Sequence, residues 1–336
     1  MRSDSSCLSV LRRGAWRAWL LVLLAGFFCL PASAYPDRPV RFIVPYAAGG
    51  PTDQLARLFA KRLEKHLGQP VVPENRPGAA SIVGVQTTVQ NGASGYTVLF
   101  AGPGALVLNP MLRKDLAYDP DRDLTAVGLV SNMPLVMVVN PSLRVNSVAD
   151  FVAHARQQGD KLNYGSPGVG TPLHLAAEMF NMSAGTSMRH VPFNGTAPAL
   201  TSLMAGDIGV VFDVVSSAKP FIESGRLKAL AVTTTRKSPV LPSLPTLVDS
   251  GFKDFDASSW FALTTAAAAP PEVKQRLNLA TREILADAQF RGELEQLGLI
   301  PYDPMDPAQV QAFIADEKRR WSKVIQANKI SADSGK

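Results

Sequence analysis

Val40-Arg41-Phe42-Ile43-Val44-Pro45-Tyr46-Ala47-Ala48-Gly49-Gly50-Pro51-Thr52-Asp53 is the stretch that decides the fold of this chain. Val40 to Val44 read as a largely buried strand. After the glycine turn, apolar residues fall at Leu55, Leu58, Phe59, Leu63 and Leu67, with Arg57, Lys61, Glu64 and Lys65 between them. That spacing is one face of a helix of about four turns, stopped by Gly68 and Pro70. Val71-Val72 reads as a short strand, Ser81 to Gln90 as a second helix and Tyr96 to Phe100 as a third strand. Strand, helix, strand, helix, strand is the unit of a parallel sheet covered on both faces.

Further along, a long apolar stretch from Ala126 to Val139 leads into a second series of the same kind. Strands are expected at Leu162 to Tyr164, His190-Val191, Ile208 to Phe212 and Leu227 to Thr233. Helices are expected at Val148 to Gln157, Thr171 to Met182, Thr196 to Ala205 and Ser216 to Glu223. A second apolar crossing, Ser259 to Ala269, precedes helices near 271–286, 288–297 and 307–327, which are expected to pack back on the first unit. The pattern predicts two α/β lobes joined by two crossing segments, residues 35–136 with 257–336 in one and 137–256 in the other. Ligands of open α/β sheets sit beyond the carboxyl ends of the strands, which places a ligand cleft between the lobes.

The first thirty-four residues differ in kind. Arg2, Arg12, Arg13 and Arg17 precede an apolar run from Leu20 to Leu30 and the small-residue pattern Pro31-Ala32-Ser33-Ala34. This is the three-part form of a secretory signal peptide with cleavage before Tyr35, which predicts a periplasmic location. The bulky Phe27 and Phe28 before Cys29 do not suit a lipoprotein signal.

The chain has 336 residues, 46% apolar and 18% charged, enough for a packed core and too apolar for disorder. Cleavage would take four of 34 basic and one of 28 acidic residues, leaving 30 against 27 and a net charge of +3. That charge makes no case for nucleic acid as a partner. Both cysteines, Cys7 and Cys29, would leave as well, so no disulfide or cysteine metal ligand is expected.

Three turns from strand to helix share a chemical design: Tyr46 to Asp53, Gly165 to Pro172 and Pro192 to Pro198. Each combines glycine, a threonine (Thr52, Thr171, Thr196) at or near the N-cap, and a proline at or near the first helical position. Such turns present backbone N–H groups at the positive end of a helix, a setting for an anion, and their glycines allow close approach. They also serve simply to start helices. Gly102-Pro103-Gly104-Ala105 after the third strand is a fourth candidate. None of the four contains Lys or Arg, so an anion there would rest on N–H groups, hydroxyls and waters. Tyr46 or Phe193 could wall such a pocket. Asp213 either accepts a hydrogen bond from a ligand hydroxyl or amine, or caps the helix that starts near Ser216.

Catalytic signals are thin. Ser166 lacks the first glycine of a nucleophile elbow, and the phosphate-loop and dinucleotide glycine patterns are absent. His66, His154, His174 and His190 show no metal spacing, so neither cofactor nor metal is expected. His66 and His154 read as solvated, and His174, in the first turn of its helix, as a packing or ligand-contact residue. Asp316-Glu317-Lys318-Arg319-Arg320 reads as a solvated helix face. A secreted hydrolase using Ser166 or His174 is the enzyme alternative.

At these same loops the sequence resembles the extracytoplasmic receptors of tripartite tricarboxylate transporters, the Bug solute-binding proteins. The matching stretches include Tyr35 to Val40, Ile43-Val44-Pro45 with Gly49-Gly50 and Thr52-Asp53, Glu74 to Ala79, Gly95-Tyr96-Thr97, Asn109-Pro110, Leu162 to Tyr164, Gly170-Thr171-Pro172, His190-Val191-Pro192 and Ser259-Trp260-Phe261. The resemblance implies a type II periplasmic-binding-protein fold that closes on a small mono- or dicarboxylate, with no catalysis and no cofactor. By that analogy the site is lined by Tyr46, Gly50, Thr52, Asp53, Gly102, Gly104, Ser166, Gly170, Thr171, His174, Thr196, Ala197 and Asp213. It also implies membrane permease subunits as partners and a monomeric receptor; a sensory receptor of the same fold is the alternative. Ala47-Ala48, Val169 and Asn194 depart from the family's more polar or proline-bearing pattern and leave the ligand's identity open.

Overall fold

The computed structural model describes residues 35–327 and 330–331. The expected signal peptide and both cysteines lie outside the described residues. The chain divides into Met1–Asp37, described only at residues 35–37, and Arg38–Lys336, which carries every strand and helix among the described residues.

The opening stretch folds as its pattern demands. Strand β1 (Val40–Val44) leads to helix α1 (Pro51–Leu67), in which Leu55, Phe59 and Leu63 are buried. Pro51 opens the helix, and Gly68 closes it at φ 72°, a conformation that costs a glycine nothing. Strand β2 (Val71–Asn75), helix α2 (Ile82–Asn91) and strand β3 (Thr97–Ala101) complete the first unit, with β2 and β3 both parallel to β1. β2 runs three residues beyond the expected Val71-Val72 and carries Pro73, which an edge strand tolerates because one side of it needs no ladder bonds.

The apolar stretch after Ala126 is a single strand of 16 residues, β4 (Leu124–Val139). The second series follows as α3 (Val148–Gln158), β5 (Asn163–Ser166), α4 (Pro172–Ala184), β6 (Arg189–Pro192), α5 (Thr196–Ala205), β7 (Val210–Val214), α6 (Val215–Glu223) and β8 (Lys228–Val232). β5 lies between β6 and β7, parallel to both. The second crossing is β9 (Ser258–Ala266), followed by α7 (Pro271–Ala286), α8 (Ala288–Gln296), a two-residue strand β10 (Ile300–Pro301) and α9 (Pro307–Ala327).

The strand order is β2-β1-β3-β9-β4-β7-β5-β6, with β8 and β10 also on β4. Two parallel groups are thus joined through β4 and β9, which pair antiparallel with each other. The first half of β4 and all of β9 extend the first group, while Leu135 to Val139 pair with β7 and β8. β10, which no sequence signal announced, pairs with β4 at Ser131 and Asn132.

The last helices do return to the first group. Arg62 of α1 bonds Asp287 and Glu293, and Phe59 packs on Phe290. Phe42, Phe59, Phe100, Phe261 and Phe290 form one buried aromatic cluster. Each such side chain contributes about 1.5–3 kcal/mol by leaving water.

The expectation of a solvated face at 316–320 holds for Asp316 and Arg319 and is corrected at Glu317. Glu317 is 4% exposed and accepts hydrogen bonds from Trp260 Nε1 at 2.6 Å and Trp321 Nε1 at 3.2 Å. Arg320 completes the cluster by pairing with Glu317 and with Asp256. Trp260 sits on β9 opposite Asn132 of β4, so this cluster fastens α9 to the crossing strands. His66, expected to be solvated, stays at the surface, where its Nδ1 lies 3.1 Å from the Glu283 carboxylate.

Candidate ligand-binding site

The first loop is built around Asp53. Its Oδ2 accepts from Gly49 N and Arg57 Nε, each at 2.9 Å, and its Oδ1 from Asn75 Nδ2 at 2.8 Å. Asn75 also bonds the Tyr46 carbonyl at 3.0 Å. Burial alone would raise the Asp53 pKa, but the bonds from Arg57, Gly49 and Asn75 outweigh it and hold it below the ordinary carboxylate range. Asp53 therefore fixes the loop, and both its oxygens are engaged in doing so.

Gly50, with extended backbone, is the N-cap of α1, and no side chain caps it. Thr52 lies inside the first turn rather than at the cap, and its half-buried hydroxyl makes no hydrogen bond among the described residues. The Tyr46 ring meets Phe261 edge-on at 5.8 Å. A Cβ at Gly102 would come within 2.9 Å of the Tyr46 hydroxyl and 3.1 Å of Phe261, so Gly102 is what lets these loops close together. Beyond it, Gly104–Leu108 forms a wide π-turn in which Asn109 N–H bonds the Gly104 carbonyl. Such turns are frequent at functional sites; the Gly102-Pro103-Gly104-Ala105 pattern marks this loop but not its π geometry.

On the second group, Thr171 is the N-cap of α4 as expected, accepting from His174 N at 3.3 Å and donating to the Gly168 carbonyl at 2.8 Å. Its hydroxyl is spent on loop shape. Gly170, at φ 79°, packs against Leu112, which follows the Gly102 loop. That contact brings loops of the two groups together. Phe193 N bonds the Ser166 carbonyl at 2.9 Å, placing the third turn beside the second. There Gly195 rather than Thr196 is the N-cap, again without a side-chain cap, and Thr196 and Ala197 open α5.

Ser166 is fully buried, and its Oγ lies 2.7 Å from His190 Nε2 and 3.2 Å from the Gly168 carbonyl. His190 stacks on Tyr164 at 4.9 Å and lies 4.1 Å from the His174 ring. His174 Nδ1 accepts from Gly170 N at 3.2 Å, which leaves its proton on Nε2, 3.8 Å from Glu178. Tyr164 bonds Glu178 in turn. Burial, with His190 beside it, lowers the His174 pKa to about 3, and burial lowers that of His190 to about 4. Both rings are held neutral and lock the Ser166–Thr171 loop.

Sequence reading missed His190, Glu178 and Asn75. The pairing of His190 with Tyr164 comes from β5–β6 register, a long-range fact that local patterns do not carry.

The two histidines give a testable pH effect. Their unfolded pKa is about 6.5, so the native state binds fewer protons and stability is lost as pH falls from about 6.5 toward 4. His190→Gln is expected to flatten that loss in urea denaturation at pH 7 and pH 5; an unchanged slope contradicts it.

Asp213, the penultimate residue of β7, has no exposed surface. Its Oδ1 accepts from Val214 N at 2.8 Å, and its Oδ2 is buried without a hydrogen-bond partner among the described residues. Burial pushes its pKa up to about 7. It does not cap α6, whose N-cap is Val214 with no side-chain bond. A cavity of about 410 Å³ lies elsewhere, lined by residues such as Ile222, Leu227, Lys228 and Leu241, and none of the loop residues reaches it.

Comparison with known proteins gives a consistent picture. Residues 55–330 match the model of the tripartite tricarboxylate transporter family receptor. Protein BugT of Bordetella pertussis is 33% identical over 296 residues, 88% of this chain and 90% of that one. An R. palustris structure with adipate superposes with a TM-score of 0.82 at 34% identity, covering 88% of this chain and 99% of that one. MatC of Rhodopseudomonas palustris with bound malate gives a TM-score of 0.77 at 29% identity, over 87% and 100%. The fold is thus that of the two-lobe periplasmic solute-binding proteins. Among the described residues no helix is long and apolar enough to cross a membrane.

Proposed function

We propose, for a chain that belongs to the receptor family of the tripartite tricarboxylate transporters, that it captures a small carboxylate between its two lobes and delivers it to membrane permease subunits. In this reading residues 137–256 are the second lobe, the signal peptide is removed before Tyr35, and the receptor works in the periplasm as a monomer. The observation that carries it is the pair of glycine N-caps at Gly50 and Gly195, neither of which has a side-chain cap. They leave N–H groups of two helix starts for an anion, in turns without Lys or Arg. Relatives of the same fold hold adipate and malate, which supports the same chemistry here.

Thr52, Gly102, Gly104, Gly170, Thr196 and Ala197 line the proposed cleft, with Tyr46 as a wall. Asp53, Ser166, Thr171 and His174 shape its loops. Closure would dry the site and strengthen each hydrogen bond to the ligand, and the ligand shifts the lobes only by its preference for the closed form.

A thermal-shift screen of the mature protein against small carboxylates and their matched amides tests this. A ligand at about 100 times its Kd adds roughly 2.7 kcal/mol. Stabilisation by an acid and not by its amide is expected; equal stabilisation by both contradicts an anion site.

A further inference from the structure

We infer that Asp213 is a specificity-determining residue that accepts a hydrogen bond from the solute, so that the receptor takes a carboxylate bearing a hydroxyl or an ammonium. This rests on the cleft proposed for the two lobes and narrows its substrate class.

Strand register supplies the position. Gly165 of β5 pairs with Val211 of β7, so Asp213, two residues on, stands level with Pro167 in the Ser166–Thr171 loop. Side-chain alternation supplies the direction. Phe212 packs on Phe180 of α4, whereas Val211 and Val136 belong to the cluster with Ala199 and Leu200 of α5. Asp213 lies opposite Val136 and shares that second face, on the side of the helix that Gly195 and Thr196 begin.

There its Oδ2 is fully buried with no partner, and three residues on the Ser216 Oγ is likewise buried and unpartnered. The capping role that would have occupied the carboxylate is taken by no part of it, since α6 begins at Val215 without a side-chain cap. Burial raises its pKa, and the Val214 N–H and the nearby Ser217 hydroxyl, which itself donates to the Val214 carbonyl at 3.4 Å, lower it; no charged group among the described residues contributes. An orphaned buried acceptor is costly, and without a neighbouring cation a bare carboxylate ligand brought against it would be repelled. A donating hydroxyl or ammonium removes both penalties, while the ligand's own carboxylate rests on the helix starts.

Calorimetry with succinate, malate and aspartate, and with propionate, lactate and alanine, tests this, because each triplet shares a skeleton and differs at one carbon by hydrogen, hydroxyl or ammonium. A donor-bearing member is expected to bind at least tenfold more tightly than its unsubstituted parent, with the preference lost in Asp213→Leu. In the wild type, affinity for that ligand is expected to rise from pH 6 to pH 8 as the carboxyl ionises, a readout that does not depend on the variant folding. Equal or tighter binding of the unsubstituted acids overturns the assignment. So does affinity that falls with rising pH, or silence from all six while some other unsubstituted acid binds; in each case the receptor reading stands. If no carboxylate of any kind binds, both fail.

Discussion

Asp213→Asn is expected to stabilise the unliganded protein by up to about 4 kcal/mol at pH 8, the linkage equivalent of a carboxyl raised from about 4 to about 7. The native state keeps a proton that the unfolded chain releases above about pH 4. Stability therefore falls as pH rises from about 4 to about 7, and levels off beyond. An amide has no such slope, so the gap between variant and wild type should widen from pH 4 to pH 8 in urea denaturation. His174 and His190 tilt the wild-type profile the opposite way over part of this range, which is why the difference between the two proteins, rather than either curve, is the quantity to measure. A constant gap, or a variant less stable at both ends, contradicts the placement of an unpaired carboxyl at this site. A residue that destabilises the empty protein and serves the loaded one is the kind of local conflict expected where function overrides packing.

Glu317→Ala carries the largest expected loss. It strips the acceptor from two buried indole N–H groups, Trp260 and Trp321, and leaves Arg320 with only Asp256. Breaking a buried, hydrogen-bonded charge cluster from one side costs about 3–5 kcal/mol, whereas Glu317→Gln, which keeps an acceptor oxygen, should cost about 1–2 kcal/mol. Urea midpoints of the two variants measure this, and values for both within about 1 kcal/mol of wild type would contradict it. Because Trp260 lies on β9 where it pairs with β4, the loss falls on the strands that link the two parallel groups.

The alternation of apolar runs and helical faces made most of the fold legible. Val40–Val44, Thr196–Ala205 and Pro307–Ala327 stand where periodicity put them. Glycine, threonine and proline mark where helices begin: Thr171 is itself an N-cap, while Thr52 and Thr196 lie just inside helices capped by Gly50 and Gly195. What stayed hidden depends on contacts between distant segments. Nothing local distinguishes Glu317 from its charged neighbours until Trp260, far back in the chain, lies against it. The same holds for the Ser166–His190 pair and for the Asn75 bonds to the first loop, which exist only through strand register. Asp213 was legible as a candidate, but only the start of α6 at Val215 removed the capping alternative.

Backbone amide NMR of the protein titrated with adipate and with malate in turn tests the central claim most directly, since that claim is that main-chain N–H groups at the glycine turns hold the carboxylate. The largest shifts are predicted at Thr52, Asp53, Gly104, Thr196 and Ala197. Saturable binding whose shifts instead cluster around Leu227 and Leu241, in the cavity beside β8, would contradict it.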